Sequence, residues 1–371
     1  MKIINQIFFF MIAISFSGNL FAQRQRLSRA DAAWLERHQE MKTVSDDGRP
    51  WMFENRLPTL AIGDLHGDLN ALLQILSEMA LIDAETGRWL GKAVNLVLVG
   101  DLVNGAGQSR LVLEYLMKLQ TEMNQSRGFL HLLVGNHEVE LSKGDEDKMP
   151  NRDQRDFRDY PIDGERYEQI EDIFKSRNRY SQFLSQFQMI VKVNGVVYVH
   201  AGLQGWLLVN QNTPGSINST WRAWQQYWAS HDDEVRRERP DRETRWIFND
   251  DHGPAHLQDF RMHQRGRQAL ERNQFNLLMQ SLDADYMVKG HNVTPNDRIH
   301  QGHPELGPAV ISIDTGISES KGGRISSLYI DQRGGHQVME EFYFERPSKM
   351  KFRAIRDRIR AVITNRCEAV L

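Results

Sequence analysis

Leu60-Ala61-Ile62-Gly63-Asp64-Leu65-His66-Gly67-Asp68 is the stretch on which the fold of this chain turns. A short apolar run stops at a glycine, and two carboxylates and an imidazole follow at once. A run of this length bounded by glycine reads as a buried strand, because a helix needs more residues. Further along, the same pattern recurs. Leu96–Val99 leads into Gly100-Asp101, and Leu130–Val134 leads into Gly135-Asn136-His137-Glu138. Val196–Val199 leads into His200-Ala201-Gly202, and Tyr286–Lys289 leads into Gly290-His291. In an open α/β structure the strand ends share one edge, where ligands bind. Asp64, His66, Asp101, Asn136, His200 and His291 are therefore expected to meet there. Carboxylate, imidazole and amide oxygen together suit a pair of divalent ions. Taken singly, a Gly-Asp or Gly-Asn pair after a strand is a turn, and a histidine ending an apolar strand is a satisfied core residue. Chance does not account for the same ligand types at five strand ends in one chain.

The five blocks, GDLHG, GDLVNGAG, GNHE, VHAG and GH, resemble in content and order those of the calcineurin-like metallophosphoesterase superfamily. Its phosphoprotein-phosphatase branch carries GDxHG, GDxxDRG, GNHE, HGG and a late GH. The resemblance runs from Leu57 to Phe344. It implies an α/β/β/α sandwich with mixed sheets, with helical insertions over a metal site. It also implies two divalent ions, their identity open among Mn, Fe and Zn. Asp64, His66 and Asp101 are expected to hold the first ion; Asp101, Asn136, His200 and His291 the second, with Asp101 as the bridge. A two-metal site clamps a phosphoryl group and supplies the attacking hydroxide without a covalent enzyme intermediate. His137 matches the general acid that protonates the leaving alcohol, a task suited to a group titrating near neutral pH. Asp68 is expected to cap the helix over Leu69–Leu81. Glu138 is expected either to orient a ligand or to lie on the surface.

The second block departs from the family. Asn104-Gly105-Ala106 stands where Asp-Arg-Gly is usual. The missing aspartate would hold the general-acid histidine; Asn104 can accept one hydrogen bond from His137 but brings no charge. The missing arginine would grip phosphate through a bidentate fork. Arg110, Arg261, Arg265 and Arg267 are candidate replacements, and Asn136, Arg261 and Arg110 are the expected substrate contacts. Gly135–Leu141 with Gly144-Asp145, Ile313–Ser318 with Gly322-Gly323-Arg324, and Gly290–Pro295 are similar to stretches of the bacterial Shewanella-like protein phosphatases. The implied activity is hydrolysis of a phosphoprotein or a small phosphomonoester. Gly100–Asn104 with Val199–Gly202 also resembles the symmetrical dinucleoside-tetraphosphate hydrolases, and a phosphatase-fold protein that binds without turnover is the third reading.

A chain of 371 residues accommodates one large α/β domain with insertions. A net charge of −3 gives no support to nucleic-acid binding. Lys2 followed by the apolar Ile7–Phe16 and a cleavage region at Gly18–Ala22 reads as a leader, residues 1–22. Its apolar run is too short for a membrane span. The mature protein is thus expected to be exported, periplasmic or secreted. Residues 23–56 form a polar lead-in with a helix around Ala30–Met41, residues 57–345 the catalytic domain, and residues 346–371 a basic C-terminal helix. Phe352, Ile355, Ile359 and Val362 recur at helical spacing there and are expected to pack on the domain. Cys367, the single cysteine, permits no internal disulfide and falls outside every motif. One insert, Ser142–Phe187, is dense in charge and expected to hold one or two helices around Arg166–Phe187. A second, Gln204–Ala284, carries Trp221, Trp224 and Trp228 on one helical face, which reads as packing. His252, His256 and His263 in the second insert lack partners at metal-ligand spacing and read as surface or pocket-wall residues.

Overall fold

The computed structural model describes residues 43–159, 161–208, 212–229, 246–249, 253–258, 272–333 and 335–368. The expected leader, the lead-in helix, Arg261, Arg265, Arg267, His252 and His263 lie outside these residues, as do the side chains of Trp206, Trp228 and Cys367.

All five apolar runs are strands. β2 (Thr59–Ile62), β3 (Asn95–Leu98) and β4 (Phe129–Leu132) pair in parallel. Beside β2 the antiparallel hairpin of β10 (Ile325–Arg333) and β11 (His336–Phe344) completes a five-stranded sheet ordered β11-β10-β2-β3-β4. The second sheet has six strands, ordered β1-β5-β6-β7-β9-β8. They are β1 (Met52–Phe53), β5 (Ile190–Val193), β6 (Val196–Val199), β7 (Tyr286–Lys289), β8 (His300–His303) and β9 (Gly307–Ser312). β6, β7 and β9 run parallel, while β5 and β8 pair antiparallel, so both sheets are mixed. The lead-in is sewn into this sheet: β1 pairs with β5.

The strand period of two explains the layering. Ala61, Val97 and Val99 from the first sheet pack with Val191, Val196, Tyr198 and Val288 from the second, between the two sheets. The alternate residues Leu60, Ile62, Leu96, Leu98, Val197 and Met287 join the larger cluster under the helices. A slip of one residue would exchange these faces, so register is strongly fixed. The layers are thus helix, sheet, sheet, helix, as the motif resemblance implies.

Helix α1 spans Leu69–Glu78, shorter than expected because Met79 and Ala80 turn away, Ala80 with a positive φ of 51°. Asp68 caps it by accepting from Ala71 N at 3.0 Å. α2 is Ser109–Asn124 and α3 is Asn136–Lys143, ended by Gly144 in the left-handed region at φ 68°. The first insert exceeds the expectation, holding α4 (Asn151–Arg158), α5 (Ile170–Lys175) and α6 (Arg179–Leu184). Its short helices are tied down by distant partners, a signal that hydrophobic period does not carry. In the second insert lie α7 (Pro214–Ala229), α8 (Trp246–Asn249) and α9 (Arg272–Ser281). Trp221 and Trp224 are buried, and Trp224 stacks on Phe248 at 4.5 Å, which is packing as expected. In α10 (Arg353–Glu368), Ile355 and Ile359 are buried, with Phe352 just before them, while Val362 is exposed.

Candidate metal and catalytic site

The ends of β2, β3 and β4 and those of β6 and β7 open on one edge, where the two sheets exchange contacts. His66 N donates to Asp101 O at 2.8 Å, and Gly290 N donates to His200 O at 2.8 Å. Between sheets, His291 N donates to Asp64 Oδ2 at 2.9 Å, and His200 Nδ1 bonds Val99 O at 2.9 Å. Glycine is required at two of these turns. A Cβ on Gly135 would overlap Asp101 Oδ1, and one on Gly290 would overlap Asp64 Oδ1.

Asp101 is the centre. Its Oδ1 lies 3.4 Å from His200 Nε2, and its Oδ2 lies 3.9 Å from His66 Nε2 and 3.8 Å from His137 Nε2. One carboxylate thus shows a different oxygen to each of two groups, His66–Asp101–His137 and Asp101–His200–His291. Asn136 Oδ1 joins the second, 3.2 Å from His200 Nε2 and 3.0 Å from His291 Nδ1. Asp64 stands behind them: its Oδ2 accepts the His291 N–H, and its buried Oδ1 has no hydrogen-bond partner. All six expected ligands therefore meet, and His137 stands with the His66 side.

His66, Asp101, Asn104 and His291 have positive φ values of 43°, 49°, 62° and 71°. Left-handed backbone is costly outside glycine, asparagine and aspartate and gathers at functional sites. Here it turns side chains inward where a strand would alternate them.

Burial sets the electrostatics. It pushes Asp64 well above the usual carboxylate range, and the Asp314 and Asp101 carboxylates push it further. Burial acts on Asp101 in the same direction, but His200 and His137 outweigh it and hold Asp101 well below that range. Burial lowers His66 to about 4, with Lys321 among the cations adding to the effect. It would lower His200 too, yet Asp101 and Asp64 raise that imidazole to about 9. Burial also holds His291 well below its ordinary value. The imidazoles of His66 and His291, kept neutral by burial, together with buried carboxylates that repel one another and unpartnered atoms at Asp64 Oδ1 and His66 Nδ1, make a donor set that suits a divalent cation. The residues fit two such ions.

The supporting residues correct several expectations. Glu138 is fully buried: its carboxylate accepts from Asp101 N, Leu102 N and Gly135 N, each at 2.8 Å, and from Val103 N at 3.3 Å. It locks the β3 loop to the β4 loop, a role that motif position alone left open. Asn104 is buried, but neither polar atom of its amide finds a partner, so the expected bond to His137 is not made. His137 Nδ1 instead faces Glu140 Oε2 at 3.5 Å. Arg110 lies wholly inside the protein, its guanidinium turned to Tyr180 Oη and the carbonyls of Phe157 and Pro161. It is structural there and presents no fork at the edge. Proximity in sequence to Asn104 had suggested otherwise, but α2 turns the side chain into the core.

Sequence reasoning missed four residues. Asp153 of α4 accepts from Gly105 N and Gly107 N and bonds Ser109 Oγ, holding the altered loop across more than forty residues of chain. Gln258 Nε2 lies 2.8 Å from His291 Nε2, leaving Nδ1 of that ring for the cluster. Asp314 sits buried in the electrostatic reach of Asp64. Only Glu140 had a readable signal, three residues beyond His137 on a helix. His256 is half-buried, and burial lowers it to about 4.

Two stacked mixed sheets with this edge are the architecture of the metallophosphoesterases. Residues 57–295 match the calcineurin-like phosphoesterase family, and the chain belongs to it. Shewanella-like protein phosphatase 2 of Arabidopsis thaliana is 37% identical over 93 residues, 25% of this chain and 24% of the relative. Shewanella-like protein phosphatase 1 of Plasmodium berghei is 30% identical over 159 residues, 43% and 42% of the two chains. The chain thus spans less than half the length of each of these relatives. A crystal structure of a cold-active protein-tyrosine phosphatase from a psychrophilic Shewanella has a TM-score of 0.58 at 20% identity, covering 80% of this chain and 83% of its own. A second structure of a cold-active protein tyrosine phosphatase has a TM-score of 0.60 at 20% identity, covering 80% and 81%. At this identity the two structures establish the shared fold.

Proposed function

We propose that the chain hydrolyses phosphate monoesters, on a phosphoprotein or a small phosphomonoester, at a site for two divalent ions. The observation that carries the reading is Asp101, whose two oxygens face separate ligand groups drawn from both sheets. Asp64, His66 and Asp101 would hold one ion; Asp101, Asn136, His200 and His291 the other. Bound there, the ions would neutralise phosphoryl charge and lower the pKa of a coordinated water. His137 is the proton donor. Its side chain is 22% exposed where His66 and His200 are buried, so a substrate can reach it. As the P–O bond breaks, its Nε2–H passes to the leaving oxygen, and the product is a neutral alcohol.

Arg261 is proposed as the phosphate contact. Gln258, three residues before it in sequence, touches His291. Manganese, iron and zinc are the proposed metals, since mixed N/O ligands accept each. Export, with residues 1–22 removed, belongs to the proposal and rests on the apolar Ile7–Phe16; N-terminal sequencing of the native protein tests it. Among the described residues no helix is long and apolar enough to cross a membrane.

The test is steady-state hydrolysis of p-nitrophenyl phosphate after metal stripping and reloading with Mn²⁺. Turnover should return with metal and fall by about 10³-fold in Asp101→Asn, equivalent to several kcal/mol of metal-ion stabilisation. Turnover indifferent to both metal and Asp101 would remove the reading.

A further inference from the structure

His137 shows its two ring nitrogens to different surroundings. Nε2 faces the cluster, 3.8 Å from Asp101 Oδ2, with the ring edge-on to His66 at a centroid distance of 4.9 Å. Nδ1 faces Glu140 Oε2 at 3.5 Å, three residues along α3. Among the described residues Glu140 is the carboxylate within ion-pair distance of Nδ1, and His137 is the basic group within ion-pair distance of Glu140. Asn104, the residue whose position in the second block suggested that it would hold this ring, bonds nothing through its side chain. Both members of the pair are partly exposed, 22% for His137 and 18% for Glu140, so core packing does not fix the ring.

A histidine that gives a proton from one nitrogen works only if its other nitrogen is held, because an unheld ring rotates and exchanges tautomers. We propose that Glu140 is the positioning residue for His137. It accepts Nδ1–H and keeps Nε2 directed at the leaving oxygen, a task Asn104 does not perform. A separation of 3.5 Å is longer than a formed hydrogen bond. Contacts of this kind commonly tighten once substrate is bound. The proton path is closed: Nε2–H goes to the departing oxygen as the P–O bond breaks, and the ring is left neutral with Nδ1–H on Glu140. The inference rests on the monoester-hydrolase reading.

Glu140→Gln and Glu140→Ala are to be compared with wild type and His137→Ala on two esters, benzyl phosphate and p-nitrophenyl phosphate. Benzyl phosphate releases a poor leaving group that needs protonation, whereas p-nitrophenolate leaves without help. Glu140→Ala should lose about 10- to 100-fold in kcat on benzyl phosphate, the usual cost of freeing an oriented histidine. It should keep KM, bound-metal content and most of its rate on p-nitrophenyl phosphate. Glu140→Gln, which keeps an acceptor, should fall between. A second readout does not depend on turnover: ¹⁵N shifts of the His137 ring in its neutral form, the form left after proton donation, should report the Nδ1–H tautomer in wild type and a mixture in Glu140→Ala. Equal losses on both esters, loss of metal, or identical tautomers would overturn the role of Glu140. A wild type inactive on both esters would instead overturn the hydrolase reading, with the ring shifts still judging the contact.

Discussion

One buried carboxylate, Glu138, ties two loops of this site together alongside the bond from His137 N to Asp101 Oδ1. Glu138 takes four backbone N–H groups from residues on both sides of the edge, with no side-chain partner among them. Burial and the Asp101 carboxylate push it up to about 7, and those N–H donors pull it back toward the charged form. Glu138→Gln keeps the shape but turns an NH2 group against N–H donors. An unmet buried donor costs about 1–3 kcal/mol, and loss of such a support weakens metal binding about 10- to 100-fold. Urea unfolding and Mn²⁺ titration calorimetry check both; unchanged metal affinity would show that the clamp serves the fold alone. The sequence placed Glu138 next to its motif but left its direction open, because three of its four partners are backbone groups 35 to 37 residues away. Position 104 makes the converse case. Its φ of 62° favours asparagine, so the turn keeps its shape while the charge is gone.

Strands were legible because each apolar run is short, stops at glycine and alternates between two cores. The first insert was less so. Its order comes from contacts such as Asp153 to the Gly105–Gly107 turn, which no local period announces. β4 carries a further consequence of the sandwich. His131, opposite Phe53 at 4.6 Å, has a ring nitrogen without a partner, and burial lowers it to about 4. The unfolded chain binds its proton near 6.5, the folded chain only near 4. Stability tied to this residue is therefore complete above pH 6.5 and is lost as pH falls from there toward 4. At pH 5 the loss is about 2 kcal/mol. His131→Leu should lose correspondingly less stability between pH 7.5 and pH 5 in urea titrations; parallel losses in the two proteins would exclude the histidine as the source.

Across the whole molecule, the edge gathers candidate ligands from both sheets, so ions bound there would tie one sheet to the other. An ion that binds only the folded state stabilises it by about 4 kcal/mol at a thousandfold excess over Kd. Chelation should lower the melting temperature of the wild type and leave that of Asp101→Asn almost unmoved, as read by scanning calorimetry with and without EDTA. A wild type that melts alike in both conditions would mean that the sheets hold together without ions. The path of the chain adds a matter of timing. β2, β3 and β4 are made early, the second sheet follows, and only then does β10 come to lie beside β2. A ribosome thus releases Asp64, His66, Asp101 and Asn136 long before His291 and the strand that closes their sheet. Pairings this distant in sequence form slowly. His291, the last of the six clustered residues along the chain, is synthesised only after four of the six strands of the second sheet, so the cluster cannot be complete before most of both sheets exists.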